Sequence, residues 1–340
     1  MFQARPVPEE QEVISMIFIG VDISKEKFNV FLTFAEESYH LEFENRREGF
    51  RRFWKWLKKR RVEEAHVCME ATGRYADALA RFLYEKGLKV SVVNPRRIKA
   101  YAESKLSRNK TDRVDAQIIE DFCRTQTPRL WEPPAPEVEA LQMMTRHLES
   151  MKKMRAQERN RLASGVTEPV VQASIQAHIT YLNEAIAKLE QEIEAHIDQH
   201  PHLKEKADLL QSIPGIGKTT AAILLAEIKD IDRFEEASDL ATYAGLTPGR
   251  YQSGTSVRKQ PHLSKIGNAV LRKAVYFPAL VAQRHNPLVR QPAERLAARG
   301  KPPMVIQGAA MRRKLLHIVF GVWKHRRPFD PHIEDHLVPA

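Results

Sequence analysis

The sequence predicts a mixed α/β domain at the N-terminal end, then a helical linker and a mostly helical C-terminal domain. Three apolar segments separated by short turns open the chain, at 16–24, 27–34 and 39–45. Two later apolar segments, 65–71 and 88–94, alternate with segments of helical periodicity. Strands joined by short turns pair antiparallel, whereas strands that alternate with helices add in parallel. The expected sheet therefore has an antiparallel meander followed by a parallel half.

Helical periodicity is predicted between these strands and after them. The helical segments are 47–61, 74–86, 95–104 and 112–124. The first of them has apolar residues on one side and a dense basic face on the other. Three strands, a helix, a strand, a helix, a strand and further helices make up the ribonuclease-H-like α/β arrangement. We expect it over residues 17–128, after a leader at 1–16.

A proline-rich segment, 127–137, predicts a domain boundary. Two long helical stretches follow and form the predicted coiled-coil linker, 129–205. Six residues in 4-3 spacing form a heptad seam, namely Ile175, Ile179, Leu182, Ile186, Leu189 and Ile193. The seam could pack on the neighbouring helix, as a plain helical hairpin, or on another copy of the chain. A C-terminal domain at 206–328 and a tail at 329–340 complete the prediction.

The composition favours a polyanionic partner. The chain has 340 residues, 43% of them hydrophobic, and a formal net charge of +11, which favours nucleic acid over a merely basic surface. Two cysteines without a CxxC motif argue against a disulfide framework and a zinc site. No apolar run reaches the roughly 20 residues that span a bilayer, and the N-terminus lacks the order of a signal peptide. We expect a soluble cytoplasmic protein with no membrane partner.

Four acidic residues in three separated segments are the candidate metal ligands. Asp22 ends the first predicted strand and Glu70 ends the fourth, and these strands are neighbours in the expected sheet. Asp112 and Asp115 are three residues apart on a predicted helix, so they share one helix face. A helix docked on that edge of the sheet would bring the four carboxylates together.

Such a cluster requires cations. Two carboxylates 4 Å apart repel by about 4 kcal/mol at an effective dielectric constant of 20. Hard oxygen ligands in this number suit Mg²⁺ or Mn²⁺, and two such ions can assist a phosphoryl transfer. Each acid also has a simpler interpretation, because Asp112 suits a helix N-terminus, Asp115 could pair with an arginine, and Asp22 and Glu70 could each cap a strand end. For each acid by itself the simpler interpretation is favoured. The joint pattern weakens it, because two acids end buried strands and two share a helix face.

We predict contacts with the phosphate groups of nucleic acid at two places in the chain. Arg108 and Lys110 directly precede the acidic pair on the helix. The segment SIPGIGKTTAA resembles a P-loop but has Ser212 where that motif requires glycine. We predict instead a turn between two helices, in which Gly215 and Gly217 present backbone N–H groups to a DNA phosphate. A plain helix–helix turn is the alternative.

The stretch 250–274 combines basic residues with hydroxyl groups, as phosphate-binding loops do. Its predicted phosphate contacts are Arg250, Arg258, Lys259 and Lys265. Its hydroxyl groups include that of Ser253. A serine nucleophile requires activation by a base or a metal, and no neighbour in the sequence supplies one. On the residues alone, a catalytic serine is the less favoured interpretation.

Several motifs together resemble the DEDD-type insertion-sequence transposases, which are recombinases guided by a bridge RNA. They cover most of residues 17–325 in the order that is typical of that family. The matching segments are IGVDISKEKF, CMEATGRY, NPRRIKAYAES, RNKTDRVDA, IPGIGKTTAAILLAEI, YAGLTPGRYQSGTSVR and SKIGNAVLRKAVYFPA.

This resemblance implies a RuvC-like catalytic domain, a helical linker and a C-terminal transposase domain with a helix-hairpin-helix-like turn. It implies that Asp22, Glu70, Asp112 and Asp115 bind the metal. It also implies that Ser253 is the nucleophile and meets the metal cluster across domains or protomers. That arrangement would explain why Ser253 has no activating neighbour in the sequence.

The implied reaction is strand cleavage through a phosphoserine–DNA intermediate, with strand exchange through a Holliday junction. The implied partners are donor and target double-stranded DNA, a bridge RNA, and copies of the chain in a dimer or tetramer. The cationic helix 47–61, which also carries aromatic residues, is a candidate RNA or DNA surface. Thr255 and Ser256 lie close enough to Ser253 to leave the position of the nucleophile open.

Two rival hypotheses remain at this stage. One is a metal-dependent Holliday-junction nuclease on the same fold, with water as the nucleophile. The other is a non-catalytic architectural binder that retains a degenerate nuclease domain.

Overall fold

The chain forms two compact units, with the boundary between Pro133 and Pro134. The computed structural model describes residues 16–71, 73–105, 111–249, 252–253, 257–258, 262–263 and 266–332. The boundary falls within the proline-rich segment 127–137. Among the described residues, no helix is both long enough and apolar enough to cross a membrane.

Within its described residues, the first unit contains one mixed sheet of five strands. The strands are β1 (Ile17–Ile23), β2 (Lys27–Phe34), β3 (Glu37–Glu44), β4 (Ala65–Glu70) and β5 (Lys89–Val93). Their order is β3-β2-β1-β4-β5. The pairs β1–β2 and β2–β3 are antiparallel, and β1–β4 and β4–β5 are parallel. The predicted meander, the parallel half, and the neighbouring positions of the first and fourth strands are confirmed.

Helices cover both faces of this sheet. They are α1 (Arg47–Lys59), α2 (Asp77–Glu85), α3 (Pro95–Ser104) and α4 (Asp112–Gln126). The face that includes Val21 and Met69 packs against α1 and α2. The opposite face, which includes Cys68, packs against α3 and α4. Because successive side chains of a strand point to opposite faces, Asp22 and Glu70 lie on the α4 side.

Gly20 allows α4 to approach β1 closely. A Cβ atom at position 20 would lie 2.1 Å from the carbonyl oxygen of Ala116 and 2.3 Å from the amide nitrogen of Glu120. Any side chain there would have to displace the backbone of α4. This contact therefore fixes how far the first turn of α4, with Asp112 and Asp115, lies from β1.

The second unit is built mainly of helices. They are α5 (Pro136–Ala163), α6 (Pro169–Asp198), α7 (Pro201–Gln211), α8 (Lys218–Ile228), α9 (Ala237–Tyr243), α10 (Ala269–Ala274), α11 (Tyr276–His285), α12 (Pro287–Ala298), α13 (Pro303–Val305) and α14 (Arg313–His325), with a π-helical segment at Ile306–Arg312. One apolar core joins side chains from both sides of residue 205, including Leu148 of α5 and Leu224 of α8. The domain boundary at 205 stays a prediction.

The heptad seam packs inside the chain. Leu182 and Ile186 of α6 are buried in the same core as Leu148 of α5. Lys152 of α5 and Glu190 of α6 form an ion pair at 2.7 Å beside the seam. Of the two alternatives for this seam, the structure therefore contains the helical hairpin, in which α6 packs on α5.

We expect Gly20→Ala to lower the free energy of unfolding by about 1–3 kcal/mol, because the added methyl group must displace α4. Chemical denaturation followed by tryptophan fluorescence measures this loss, since Trp54, Trp56 and Trp131 lie in the first unit. Gly321→Ala is the matched control, because a Cβ atom there has no neighbour within 4 Å. Alanine should stabilise that helix by about 0.5–1 kcal/mol. An unchanged midpoint for Gly20→Ala would contradict the close approach of α4.

Candidate active site

The ends of β1 and β4 bring Asp22 and Glu70 together. Val21 and Met69 are partners in the parallel register of these strands, so the residues that follow them lie side by side at the same edge. On the neighbouring strand β2, Asn29 lies directly opposite Asp22. The placement predicted for these two carboxylates is thus confirmed.

The first turn of α4 supplies the other two carboxylates. Thr111 caps the helix, because its hydroxyl oxygen accepts a hydrogen bond from the Val114 amide at 3.3 Å. Its carbonyl oxygen accepts another from the Asp115 amide at 2.9 Å. The capping places Asp112 and Asp115 in that turn. The simpler interpretation of Asp112 as a helix-start residue is therefore also satisfied by the structure.

Lys27 provides positive charge at this edge of the sheet. Its amino group lies 3.3 Å from Oδ2 of Asp112 and 2.7 Å from Oε2 of Glu42. Hydrogen bonds with Glu42 and then with Asp112 raise the pKa of Lys27. The side-chain amide of Asn29 also donates to Oδ2 of Asp112, at 3.4 Å. Sequence reasoning missed both residues, although their i, i+2 spacing on β2 places them on the face that carries Asp22.

The carboxylates are close enough to repel one another. Burial is the largest cause that raises the pKa of Asp22 to about 6, followed by repulsion from Asp115, Asp112 and Glu70. These three contributions come from β4 and α4. The structure therefore brings the four predicted residues into one electrostatic neighbourhood.

The four acids nevertheless do not form a ready coordination sphere. Among the described residues, no group of three or more His, Cys, Asp or Glu side chains is arranged to hold a metal ion. Lys27 is instead the cation beside Asp112. The donor set does fit a divalent cation, because it consists of hard carboxylate oxygens whose mutual repulsion such a cation would relieve.

The predicted turn between two helices is present at Gly215 and Gly217, which lie between α7 and α8. Gly215 has a φ angle of 101°, and a Cβ atom there would lie 2.6 Å from the carbonyl oxygen of Pro278 in α11. This glycine therefore has a packing role. Gly217 is the exposed N-cap residue of α8, so the first amides of that helix are open to an anion.

The stretch 250–274, which contains Ser253 and is called the serine segment below, lies partly outside the described part of the chain. The backbone of Ser253 belongs to β7 (Gln252–Ser253), which pairs antiparallel with β8 (Val257–Arg258). The side chains of Ser253 and Arg258 lie outside the description. The other predicted residues outside it are Arg108, Lys110, Arg250, Thr255, Ser256, Lys259 and Lys265.

Sequence reasoning missed an ion pair between the buried carboxylate of Glu227 and the half-exposed guanidinium group of Arg146. Glu227 of α8 is 1% exposed. Its two carboxylate oxygens accept hydrogen bonds from Arg146 of α5, at 2.8 and 3.1 Å. The side-chain amide of Asn268 donates to the same carboxylate at 2.7 Å. The signal for this site was a single acidic residue in the otherwise apolar sequence AAILLAEI.

Backbone hydrogen bonds connect the parts of the chain on the two sides of Ser253. Asn268 donates its backbone N–H to the carbonyl oxygen of Tyr243 at 2.7 Å. Nearer the serine, β6 (Pro248–Gly249) pairs with β9 (His262–Leu263). Burial alone would raise the pKa of Glu227, but the hydrogen bonds from Arg146 and Asn268 outweigh it and lower the pKa. Glu227 is therefore a buried anion that anchors Asn268.

Two family models match the chain. DEDD_Tnp_IS110, described as a transposase, matches residues 19–168, which include the four carboxylates. A second model, described as the transposase IS116/IS110/IS902 family, matches residues 207–294, which include the serine segment. The chain belongs to the IS110 family of transposases.

Two relatives of this IS110-family chain have names that refer to gene inversion and to transposition. The pilin gene-inverting protein of Moraxella bovis is 33% identical over 325 residues, which cover 95% of this chain and 100% of the relative. The transposase for insertion sequence element IS1111A of Coxiella burnetii is 26% identical over 306 residues, which cover 78% of each chain. The chain therefore has a role in DNA recombination, with DNA as its substrate.

At pH 7 and with a chelator present, we expect Asp22→Asn to raise the free energy of unfolding by about 1–3 kcal/mol. Asp22 has a pKa of about 6 in the folded chain against an ordinary value of 3.8. The folded state thus binds more protons than the unfolded state, and the wild type loses stability as the pH rises between these values. Urea denaturation at pH 7 and at about pH 4 measures the difference, which should vanish at the lower pH. An equal gain at both pH values would rule out an electrostatic origin.

We expect Arg146→Met to destabilise the chain by about 1–3 kcal/mol at neutral pH, because it removes the two hydrogen bonds from the half-exposed Arg146 guanidinium group to the buried Glu227 carboxylate. The double variant Arg146→Met/Glu227→Met should recover most of this loss. Because the folded pKa of Glu227 is lowered, its contribution is present above the ordinary value of 4.5 and disappears as the pH falls through the folded value. Denaturation followed by circular dichroism measures the free energy of unfolding of the wild type and both variants at each pH. A double variant as unstable as the single one would exclude the ion pair as the cause.

Proposed function

We propose that this transposase breaks and rejoins DNA strands through a covalent phosphoserine intermediate. In this proposal the first unit is a ribonuclease-H-like, RuvC-like domain. Asp22, Glu70, Asp112 and Asp115 hold Mg²⁺ or Mn²⁺, and Ser253 is the nucleophile. The observation that carries the metal assignment is that the adjacent ends of β1 and β4 and the first turn of α4 bring the four acids together. In agreement with this, burial and then repulsion from the other three acids raise the pKa of Asp22.

A divalent cation, when bound by these carboxylates, would supply Lewis-acid stabilisation to a phosphodiester group. Asp22 and Glu70 come from adjacent strands and Asp112 and Asp115 from one helical turn, so their relative positions depend on backbone packing. Such a rigid arrangement is what metal-assisted phosphoryl transfer requires of its ligands.

In the proposed reaction, Oγ of Ser253 attacks a DNA phosphorus atom. A bond between Oγ and phosphorus forms, and the bond from phosphorus to one sugar oxygen breaks. The serine loses its hydroxyl proton, and the departing sugar oxygen gains one. A hydroxyl group of another strand then attacks the phosphoserine, which restores the serine and joins that strand. Two such exchanges at a Holliday junction complete recombination without loss of phosphodiester bonds.

The backbone hydrogen bond from Asn268 to the carbonyl oxygen of Tyr243 supports a chemical role for the serine segment, because it connects the chain on the two sides of Ser253. A nucleophile must be held in place relative to its target, and the buried Glu227 carboxylate holds Asn268, on the C-terminal side of Ser253, through a hydrogen bond. Burial of that carboxylate has a desolvation cost. The names of the relatives support the same reaction, because gene inversion and transposition both require strands to be cut and rejoined.

Further parts of the proposal concern partners. We propose donor and target DNA duplexes as substrates, a bridge RNA that selects the target, and a dimer or tetramer in which the serine of one copy meets the carboxylates of another. The net charge of +11 supports a polyanionic partner. Identification of a discrete RNA that co-purifies with the chain tests the guided part by itself.

We expect Ser253→Ala to abolish covalent attachment of DNA to the chain. The assay incubates end-labelled junction DNA and Mg²⁺ with the protein and separates the products on a denaturing gel. Thr255→Val and Ser256→Ala are the matched controls and should retain the adduct. If one of them loses it while Ser253→Ala keeps it, the nucleophile lies elsewhere in QSGTS.

The same gel separates the proposal from a junction nuclease. Free cleavage products from Ser253→Ala would favour water as the nucleophile. Asp115→Asn should lower strand cleavage at least 100-fold under either mechanism, because both need the carboxylates. The non-catalytic architectural binder survives only if Asp112→Asn leaves every activity of the chain intact.

A further inference from the structure

A row of four polar side chains crosses the sheet on the face that carries α4. Asp22 of β1 lies opposite Asn29 of β2, and Asn29 lies opposite Glu42 of β3. Glu70 continues the row on the other side of Asp22, at the end of the parallel neighbour β4. Directly opposite residues of adjacent strands share one face of the sheet, so Glu42 is a further carboxylate on this face. Two strand spacings of about 4.8 Å separate its backbone from that of Asp22, and it therefore lies apart from the four predicted ligands.

Lys27 connects Glu42 to the candidate metal site. Its amino group lies 2.7 Å from Oε2 of Glu42 and 3.3 Å from Oδ2 of Asp112. A turn fixes the backbone of Lys27, because its carbonyl oxygen accepts hydrogen bonds from the N–H and the hydroxyl group of Ser24, both at 2.8 Å. One amino group is thus shared between a predicted metal ligand and a carboxylate outside the predicted set of ligands.

The contacts of Lys27 are of a kind that exchanges easily. The side chains of Lys27, Glu42 and Asp112 are 45%, 54% and 57% exposed. Ion pairs between such exposed side chains contribute little, because water screens their charges. Asn29, in contrast, is 3% exposed, and its side-chain amide donates to the same Oδ2 of Asp112 at 3.4 Å. If Lys27 leaves Asp112, the contact between Asp112 and β2 is therefore retained through Asn29.

A divalent ion and the amino group of Lys27 would compete for the same carboxylate oxygen. An Mg²⁺ ion bound by Oδ2 of Asp112 would lie about 2.1 Å from it, whereas the amino group lies 3.3 Å from it. The two cations would be no more than about 5.4 Å apart and would repel each other. Glu42 offers Lys27 a contact that does not involve Asp112. Binding of the ion therefore favours the arrangement in which Lys27 contacts Glu42 alone.

We infer that Lys27 is a positioning residue that competes with the divalent ion for Asp112, and that Glu42 promotes ion binding by holding the released amino group. Lys27 then sets the concentration of divalent ion at which the four carboxylates are occupied. This inference rests on the proposed function, since it takes Asp112 to be a metal ligand. Its particular consequence is that Lys27 weakens ion binding, whereas Glu42 strengthens it only through Lys27.

The test titrates the full-length chain with Mn²⁺ and measures the free ion by electron paramagnetic resonance. Lys27→Gln should bind Mn²⁺ about 3- to 5-fold more tightly than the wild type, because the competing cation is removed. Glu42→Gln should bind it about 3- to 5-fold more weakly, because Lys27 then has Asp112 as its remaining partner. The double variant Lys27→Gln/Glu42→Gln should bind Mn²⁺ as Lys27→Gln does. If Glu42→Gln weakens binding equally with and without Lys27, Glu42 acts by its charge alone and the inference is overturned.

Two control variants separate competition from a general change in charge. Lys25→Gln removes an exposed cation from the turn that precedes Lys27, and it should change the affinity for Mn²⁺ less than about twofold. Lys27→Arg retains the positive charge and should bind Mn²⁺ as weakly as the wild type. Equal tightening in Lys25→Gln and Lys27→Gln would overturn the inference, because the effect would not depend on the contact with Asp112.

Asp115→Asn distinguishes a failure of this inference from a failure of the proposed function. We expect Asp115→Asn to lose Mn²⁺ binding while Lys27→Gln gains affinity. Loss of binding in Asp115→Asn with an unchanged affinity in Lys27→Gln would overturn the inference and leave the metal assignment intact. Mn²⁺ binding that does not respond to Asp115→Asn would overturn the metal assignment, and the inference with it.

Discussion

The close contact between α4 and β1 at Gly20 is the constraint on which the candidate site depends. Two of the four acids belong to strands whose register is fixed by the sheet, and the other two belong to a helix that could slide or tilt over it. The absence of a Cβ atom at Gly20 lets the backbone of α4 seat directly on β1 near Ala116. The sheet and the helix then act as one scaffold for Asp22 and Asp115.

That scaffold holds four acidic side chains close together, and the positive charge of Lys27 compensates part of their negative charge. Lys27 contacts Asp112 and also Glu42, so its charge is shared between two carboxylates. It does not neutralise the neighbourhood of Asp22, whose pKa remains raised. A site with fully compensated charges would have little affinity for a divalent cation. The remaining repulsion is therefore consistent with ion binding at this edge, as carboxylate clusters in general favour it.

Much of the first unit could be predicted from sequence, because apolar periodicity and turn length determine strands and their connections. Asp22 and Glu70 were found since they end two buried strands. Lys27 and Glu227 were not, because a lysine on a strand and a glutamate on a helix have no distinctive spacing. Only tertiary packing tells whether such a residue faces solvent or a buried partner. The helical hairpin was left undecided for a related reason, since a heptad seam is the same whichever helix covers it.

The basic residues of α1 lie on the face of the sheet away from Asp22 and Glu70, and this separation resolves an apparent conflict in the composition. A basic chain attracts nucleic acid, but cations beside the acids would occupy the site that a divalent ion needs. Stacked layers of secondary structure are about 10 Å apart, and the Debye length at physiological salt is about 8 Å. Cations on the far face of the sheet are therefore largely screened from Asp22 and its neighbours. The exposed side chains of Arg51 and Lys55 therefore contribute to the net positive charge of the chain without occupying the edge of the sheet that a metal ion needs.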